Sequence, residues 1–372
     1  MKKWLRIFVL AGAVALVVTL LVLALRPREP AYEGRRLSEW LQGFSLMQAH
    51  DTEEPVSEAQ ITADAVRHIG APCLPTLLKL ITARDSAPKR KLMELAEKQG
   101  VVRLHFVPAE DLRHRAVEAL GALGATAEPA VPALSALLCE PEVGLDAATA
   151  LGRMGGAGAV ALRAALTNRN SQVLEHVLPA LRQYSSDLET ALPALLACAR
   201  HDAPVVRQQA ALALTQAVAR HKADAAVVLP TLRFLVQDRN ADVRYAALVG
   251  LRDSHSDPKA DFDSLLKAAA DDNANVRCAA LSALCKAAPL EAALAVPRLI
   301  ERLNDPIPVV RQHAVAALRA YGDKARPAVP MLLKLLERAD PPEQRTLSAA
   351  LLEIDREAAG RAGIKPETTA VP

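Results

Sequence analysis

Toward the C-terminal part of the chain lies the stretch Arg311-Gln-His-Ala314-Val-Ala-Ala-Leu318, in which an alanine follows an arginine after three places and a leucine follows that alanine after four. Residues three and four places apart share one face of an α-helix. The stretch therefore predicts a helix that buries Ala314 and Leu318 against a neighbour. Alanine lets a second helix approach closely, and leucine fills the layer between them.

The same spacing recurs from residue 113 onward. Its copies are Arg113, Ala116, Leu120; Arg207, Ala210, Leu214; Arg244, Ala247, Leu251; Arg277, Ala280, Leu284; Arg311, Ala314, Leu318; and Arg345, Ser348, Leu352. Two degenerate copies keep the apolar pair without the arginine, namely Gly144, Ala147, Leu151 and Leu174, Val177, Leu181. Successive copies start 30 to 37 residues apart, which is the length of two helices with their turns.

A proline trailed by leucines marks a second helix in most copies. These prolines are Pro132, Pro193, Pro230, Pro297 and Pro330. Proline suits the first turn of a helix because its missing N–H would have no partner there. We therefore expect each of these prolines to open the second helix of its copy. One helix pair cannot bury its apolar stripe alone, so the copies must pack on one another.

Composition favours helices and makes nucleic acid an improbable partner. Hydrophobic residues make up 51% of the chain but aromatic residues only 3%, so the interior must be built from Ala, Leu and Val. Such a mixture suits close-packed helices and gives a β-sandwich little to work with. The 45 Lys and Arg against 42 Asp and Glu leave a net charge of +3, far below the positive field that a sequence-independent nucleic-acid binder requires.

This pattern resembles the HEAT-repeat superfamily in its short-repeat bacterial form, the PBS-lyase-like type. The resemblance implies an all-α fold, an α-solenoid of about eight or nine helix pairs over residues 58–359, with residues 82–112 as an insertion and residues 360–372 as a disordered tail. The segment Tyr32 to Leu41 is similar to one that precedes such repeats in membrane-anchored bacterial proteins. Its Leu37, Trp40, Leu41 and Phe44 make one apolar face, which is expected to shield the open end of the solenoid or to rest at the lipid surface.

A membrane anchor is predicted before the repeats. Residues 7–25 form an apolar run behind a basic tail at residues 1–6, and a juxtamembrane segment with a short helix follows at residues 26–57. The run is about 28 Å long as a helix, enough to span the hydrocarbon core. A cleaved signal peptide is the alternative, although the exit at Leu25 and Arg26 is a poor cleavage site. Basic residues at the very start favour a solenoid outside the cytoplasmic membrane, or in the periplasm of a Gram-negative cell.

Acidic residues recur five or six places before the repeat arginines. In HEAT proteins, pairs of this kind resemble a ladder that ties one repeat to the next by charge-assisted hydrogen bonds. An anion-binding row is the functional alternative. The predicted ladder residues are Arg207, Arg244, Arg277, Arg311 and Arg345 with Asp202, Asp238, Asp271, Asp305 and Asp340.

The resemblance also implies that the second helices line the concave surface, where HEAT proteins hold their partners. Outward positions on these helices are therefore candidates for partner binding, with an ordinary solvated helix face as the alternative. The candidates are Arg233, Phe234, Lys267, Arg298, Glu301 and Lys334.

Catalytic chemistry is not indicated. The nine histidines have no metal-ligand spacing, no His-Glu pair of the kind that HEAT-like deoxyhypusine hydroxylases need occurs, and no phosphate loop or nucleophile elbow is found. The five cysteines lack a Cys-x-x-Cys spacing and are predicted to be apolar fillers, with an exposed reactive thiol as the alternative. We therefore expect a non-enzymatic scaffold or adaptor for a protein partner, without cofactor, metal or small-molecule substrate. The alternative is a HEAT-like enzyme or accessory protein of the bilin-lyase type.

Overall fold

The computed structural model describes residues 29–44, 55–99, 106–184, 188–221, 224–253, 258–288 and 290–365. These residues are helical apart from turns and one hairpin whose two strands are two residues long each. The predicted all-α fold is therefore confirmed for them. The predicted basic tail, the anchor at residues 7–25 and the last part of the predicted tail, residues 366–372, lie outside the described residues. Within the described ranges, no helix combines the length and apolar character needed to cross a bilayer.

The helices follow one another with short connections. Up to the middle of the chain they are α1 (Leu37–Trp40), α2 (Pro55–Ile69), α3 (Leu74–Ile81), α4 (Ala87–Gln99), α5 (Ala109–Leu123), α6 (Val131–Leu137), α7 (Gly144–Met154), α8 (Gly156–Ala165), α9 (Ser171–Tyr184) and α10 (Leu192–Cys198). They continue as α11 (Pro204–His221), α12 (Ala225–Leu235), α13 (Ala241–Asp253), α14 (Pro258–Ala268), α15 (Ala274–Ala287), α16 (Ala292–Arg302), α17 (Pro308–Tyr321), α18 (Val329–Leu336), α19 (Pro341–Ile354) and α20 (Arg356–Arg361).

The chain divides into two compact units. The first unit comprises residues 1–136 and 153–158, and the second comprises residues 137–152 and 159–372. In the first unit, strand β1 (Ala31–Tyr32) pairs antiparallel with β2 (Arg35–Arg36) and leads into α1 and a 3₁₀ turn at Leu41–Phe44. That turn contacts both α2 and α5.

The apolar face around Trp40 is buried within the first unit. Leu37, Trp40, Leu41 and Phe44 are all buried, and the Thr62 hydroxyl of α2 donates to the Trp40 carbonyl at 3.2 Å. Of the two expected roles, this packing favours cover for the first helix pair. Ser38 is the second residue of α1, and its hydroxyl donates to the Glu29 carboxylate at 3.0 Å.

In the second unit, the first helices of successive copies pack on one another. The contacts run from α9 to α11, α13, α15, α17 and α19, and each second helix packs on the first helix of the next copy. The alanine and leucine slots lie in these contacts. They are 0–2% exposed for Ala210, Leu214, Ala247, Leu251, Ala280, Leu284, Ala314 and Leu318. The spacing read from the sequence therefore identifies the buried face of these four first helices, α11, α13, α15 and α17.

The prolines do not all open a helix, which corrects that prediction. Pro193 and Pro330 are the second residues of α10 and α18, but Pro230 and Pro297 are the sixth residues of α12 and α16. The good helix formers ahead of Pro230 and Pro297 extend the helix by more than one turn. At α12, the Asp224 carboxylate stabilises that earlier start by accepting from the Ala226 N–H at 2.8 Å.

Two predicted boundaries also move. The insertion expected at residues 82–112 contains α4, but residues 109–112 already belong to the repeat helix α5. Residues 360 and 361 end α20 and do not begin a tail. Between α19 and α20 the chain turns at Asp355, whose carboxylate accepts from the Ala358 N–H at 2.9 Å and caps the last short helix.

Candidate functional site

Three repeat arginines of the second unit bind the aspartate of the following copy. Arg207 donates from Nε and Nη2 to the Asp238 carboxylate at 2.7 and 2.8 Å. Arg244 binds Asp271 in the same way at 2.8 and 2.7 Å. Such two-point pairing fixes both the distance and the orientation of the partners. We refer to these pairs, together with Arg277 and Asp305, as the ladder.

The third pair of the ladder is the most buried. Arg277 donates from Nη2 to Asp305 Oδ1 at 2.9 Å, and its Nε lies 2.8 Å from Oδ2. Both side chains are less than 10% exposed. Charges removed from water to this extent depend on each other, because neither has a solvent shell to replace its partner.

Each arginine also closes the turn that precedes its own helix. Arg244 Nη1 donates to the carbonyls of Asp238 and Arg239 at 2.9 and 3.1 Å. Asp238 therefore serves two arginines, through its carboxylate to Arg207 and through its carbonyl to Arg244. This corrects the pairing suggested by the sequence, in which each aspartate was matched with the arginine that follows it.

Each ladder aspartate accepts a further backbone hydrogen bond. The donors are the N–H groups of Asn240, Asn273 and Ile307, each two residues after its aspartate, at 2.9, 2.9 and 3.0 Å. Burial would by itself raise the pKa of these three carboxyls. The hydrogen bonds from the arginine and from the backbone outweigh it and hold the pKa of each below its ordinary value.

The predicted ladder changes at its C-terminal end. Arg311 approaches Glu343 at 3.8 Å, and Asp340 instead accepts from the Glu343 N–H at 2.9 Å, capping α19. The reason is Pro342, which lacks the N–H that holds the earlier aspartates in position two residues on. Arg345 is exposed, and among residues 290–365 no carboxylate pairs with it.

At the other end, Asp202 contributes its backbone carbonyl, to which Arg207 Nη1 donates at 2.7 Å. The arginine that its carboxylate would meet is absent, because Leu174 occupies that slot in the preceding copy.

A histidine, His176, takes the place of the arginine that is missing at Gly144, which the sequence pattern did not predict. His176 Nδ1 lies 2.9 Å from the Leu138 carbonyl. This carbonyl is six residues before Gly144, and an arginine at position 144 would donate to it as the ladder arginines do. A Cβ added to Gly144 would meet the His176 ring at 2.3 Å. The glycine thus makes room for a histidine from the next copy. The signal was available in the sequence, since His176 lies two places after the Leu174 slot.

The predicted partner-binding residues have different environments. Arg233 donates from Nε at 2.5 Å to Asp261, which is 1% exposed, and so joins α12 to α14. This side chain connects two copies and is 35% exposed, so its contact with a partner stays a prediction. Arg298 pairs along its own helix with Glu301 at 3.1 Å.

Phe234, Lys267 and Lys334 are exposed as predicted. Phe234 is 64% exposed, and Val227 lies two turns before it on α12 with 46% exposure. Lys267 borders a depression of about 440 Å³ that also includes Gln237 and the ladder residue Arg244.

Among the described residues, no group of three or more His, Cys, Asp or Glu is arranged to hold a metal ion. Cys73 and Cys198 are buried, and burial raises the pKa of each thiol to about 11. These two fit the predicted role as apolar fillers. Cys139 is exposed, which corrects the prediction that all five cysteines are interior fillers.

Comparisons with known protein families agree with the helix pairs. Residues 262–353 match the family model for HEAT repeats, and residues 112–138 match that for the PBS lyase HEAT-like repeat. Within these two ranges the chain carries HEAT repeats, as the resemblance implies. No curated protein matches the sequence.

Several known structures are similar to this chain at low sequence identity. An engineered protein shares 20% identity with a TM-score of 0.49, covering 88% of this chain and 93% of its own. The E. coli protein YibA shares 17% with a TM-score of 0.49, covering 74% and 99%. Human deoxyhypusine hydroxylase in complex with glycerol shares 19% with a TM-score of 0.28, covering 62% and 97%. These TM-scores are too low to assign a function or partner to this chain.

Replacing Asp305 with asparagine tests the ladder. The substitution keeps the shape and the acceptor for the Ile307 N–H but leaves the buried Arg277 charge without its partner. We expect the free energy of unfolding to fall by about 3 kcal/mol, measured by urea denaturation. Asp202→Asn is the matched control, because Asp202 is exposed and its hydrogen bond to Arg207 comes from the backbone carbonyl, and it should change stability by less than about 0.5 kcal/mol. Equal effects of the two substitutions would contradict a stabilising ladder.

The lowered pKa values of the ladder aspartates predict how stability depends on pH. Unfolded aspartates titrate near about 3.9, so below that pH the unfolded chain binds protons that the folded chain still excludes. The stability contributed by the ladder is present above about pH 4 and is lost as pH falls through the lowered pKa values. Between pH 5.5 and pH 3, the free energy of unfolding measured by urea denaturation should fall less for Asp305→Asn than for the wild type. An equal loss would contradict the prediction.

Proposed function

We propose that this chain is a non-enzymatic, membrane-anchored scaffold that binds a protein partner through the exposed face of its second helices. The observation that carries the proposal is the exposed Phe234. In a chain with few aromatic residues, a phenylalanine left in solvent on a helix surface has no role in the core of this molecule. Exposed aromatic side chains of this kind are typical anchors of protein interfaces.

The surroundings of Phe234 support an interface there. Val227, Pro230 and Phe234 lie three and four places apart and form one exposed stripe on α12. The hydrogen bond between Arg233 and Asp261 holds α14 beside α12. Lys267, which lies on α14, therefore adds a cation on the helix adjacent to this stripe. The surface therefore suits a partner segment with an apolar side chain for the stripe and an acidic residue for Lys267. Binding of this kind requires no catalytic group.

The membrane part of the proposal rests on the sequence. The apolar run at residues 7–25 supplies the length of one membrane span, and the basic residues ahead of it favour a repeat array outside the cytoplasmic membrane. Anchoring would confine the binding surface to partners at or near the same membrane.

A photo-crosslinking amino acid at Gln237, which is exposed beside Phe234, tests the interface in the full-length chain in native membranes. We expect one discrete adduct, with a yield that falls at least tenfold in Phe234→Ala because the anchor is lost. Lys267→Glu should also lower the yield by opposing the partner's acid. Tyr245→Ala removes an aromatic residue exposed on α13 and should leave the yield unchanged.

A chain that begins at Glu29 separates the anchor from the binding surface. It is expected to leave the membrane fraction and to form the same adduct when mixed with solubilised membranes. An adduct that persists in Phe234→Ala, or that is lost equally in Tyr245→Ala, would contradict the proposed surface.

A further inference from the structure

A groove of about 880 Å³ lies beside α19 and α20 in the second unit. Its walls include Arg345, Ser348 and Leu352 of α19, the three residues of the last copy of the repeat. Ser348 and Leu352 are half-buried, whereas the same slots are buried in the four preceding copies. The groove is therefore the face of α19 on which another helix pair would pack.

Positive charge dominates the groove. Arg345, Arg356 and Lys365 line it together with one acid, Glu353. Glu353 is already engaged, because Arg319 Nε donates to its carboxylate at 3.1 Å. Apart from Glu353, no carboxylate among the lining residues balances the charges of Arg345, Arg356 and Lys365. Leu352 and Ile364 add apolar surface.

Arg345 stands where the ladder arginines stand, but its bonds differ. Arg207, Arg244, Arg277 and Arg311 each donate to the carbonyl six residues before them. For Arg345 that carbonyl belongs to Ala339, and Gln344 Nε2 already donates to it at 2.9 Å. Within residues 290–365, the Arg345 guanidinium makes no such bond to its own turn.

Among the described residues 356–365 that follow α19, none provides the missing carboxylate. Between residues 356 and 365 the one acid is Glu357, and it lies 3.5 Å from Arg361 on the same helix. In the three pairs of the ladder, by contrast, the arginine donates to the carboxylate of an aspartate that lies just before a helix.

We propose that this groove binds an acidic segment of a partner protein, an aspartate followed by the first turn of a helix. The aspartate would pair with Arg345 as Asp305 pairs with Arg277, and an apolar side chain of the helix would cover Leu352. Arg356 and Lys365 add attraction for further acids at the rim. This site is separate from the surface around Phe234 and does not depend on the function proposed for it.

Charge makes a second copy of this chain a poor occupant of the groove. Two grooves brought face to face would oppose their own sets of Arg345, Arg356 and Lys365, and like charges at short distance repel. An acidic segment neutralises these cations and reproduces a contact that the chain makes three times within its second unit.

A labelled peptide copying residues 303–317 with Arg311→Gln, which contains the start of α17 and keeps Asp305 as its one acid without an opposing arginine, serves as the probe. Fluorescence anisotropy with the full-length protein should show saturable binding. Arg345→Gln is expected to weaken it about tenfold, and Arg345→Lys less, since lysine keeps the charge but loses the two-point geometry. Arg239→Gln, an exposed arginine outside the groove, should bind as the wild type does. Because Arg345 is exposed, these variants should retain the wild-type melting curve, which circular dichroism checks.

A peptide carrying Asp305→Asn completes the test. It should bind the wild-type protein about tenfold more weakly than the parent peptide does. The Arg345→Gln protein should bind both peptides with the same affinity, because in that protein the carboxylate has no arginine to meet. Absence of binding to the wild type, an equal loss in Arg239→Gln, or the same effect of the peptide substitution on both proteins would overturn the proposal. Dimerisation in sedimentation that Arg345→Gln abolishes would assign the groove to a second copy and would also overturn it.

Discussion

Burial of the alanine and leucine stripe between consecutive first helices is the interaction on which the second unit depends. Ala247 and Leu251 are almost fully buried, and they lie on a helix that contacts both α11 and α15. A buried leucine contributes on the order of 2 kcal/mol through removal of apolar surface from water. Alanine adds little area, but its small side chain allows the close approach that brings each leucine into contact. Without neighbours, a single helix pair would expose this stripe.

The ladder is a consequence of that packing and adds register to it. Once α13 and α15 are stacked, Arg244 reaches the turn before α15, and two-point pairing with Asp271 accepts one alignment of the two copies. Buried ion pairs contribute little net stability compared with apolar packing, yet breaking one partner is costly. His176 shows that the underlying demand is for a donor at the turn carbonyl, since a histidine meets it where Gly144 replaces the arginine.

The sequence predicted the repeat period, the buried slots and the residue types of the ladder, because helical spacing determines which side chains share a face. It could not show which aspartate meets which arginine, since that depends on how far one copy is offset from the next. Arg233 looked like an outward residue by spacing, and only the position of α14 reveals Asp261 beneath it. The different role of Asp340 could have been predicted from the sequence, because Pro342 removes the N–H donor that positions the other aspartates. The groove at α19 could not have been predicted, since it depends on where residues 363–365 lie.

The two proposed binding surfaces contain residues that packing leaves exposed, Phe234 on α12 and Arg345 on α19. Both proposals presuppose that each copy is stable only against its neighbours. Native-state hydrogen exchange of Leu251→Ala tests this most directly, since the substitution should destabilise α13 by about 2–5 kcal/mol. We predict that amide protection falls in α11 and α15 as well as in α13. A loss of protection confined to α13, with α11 and α15 unchanged, would contradict the account.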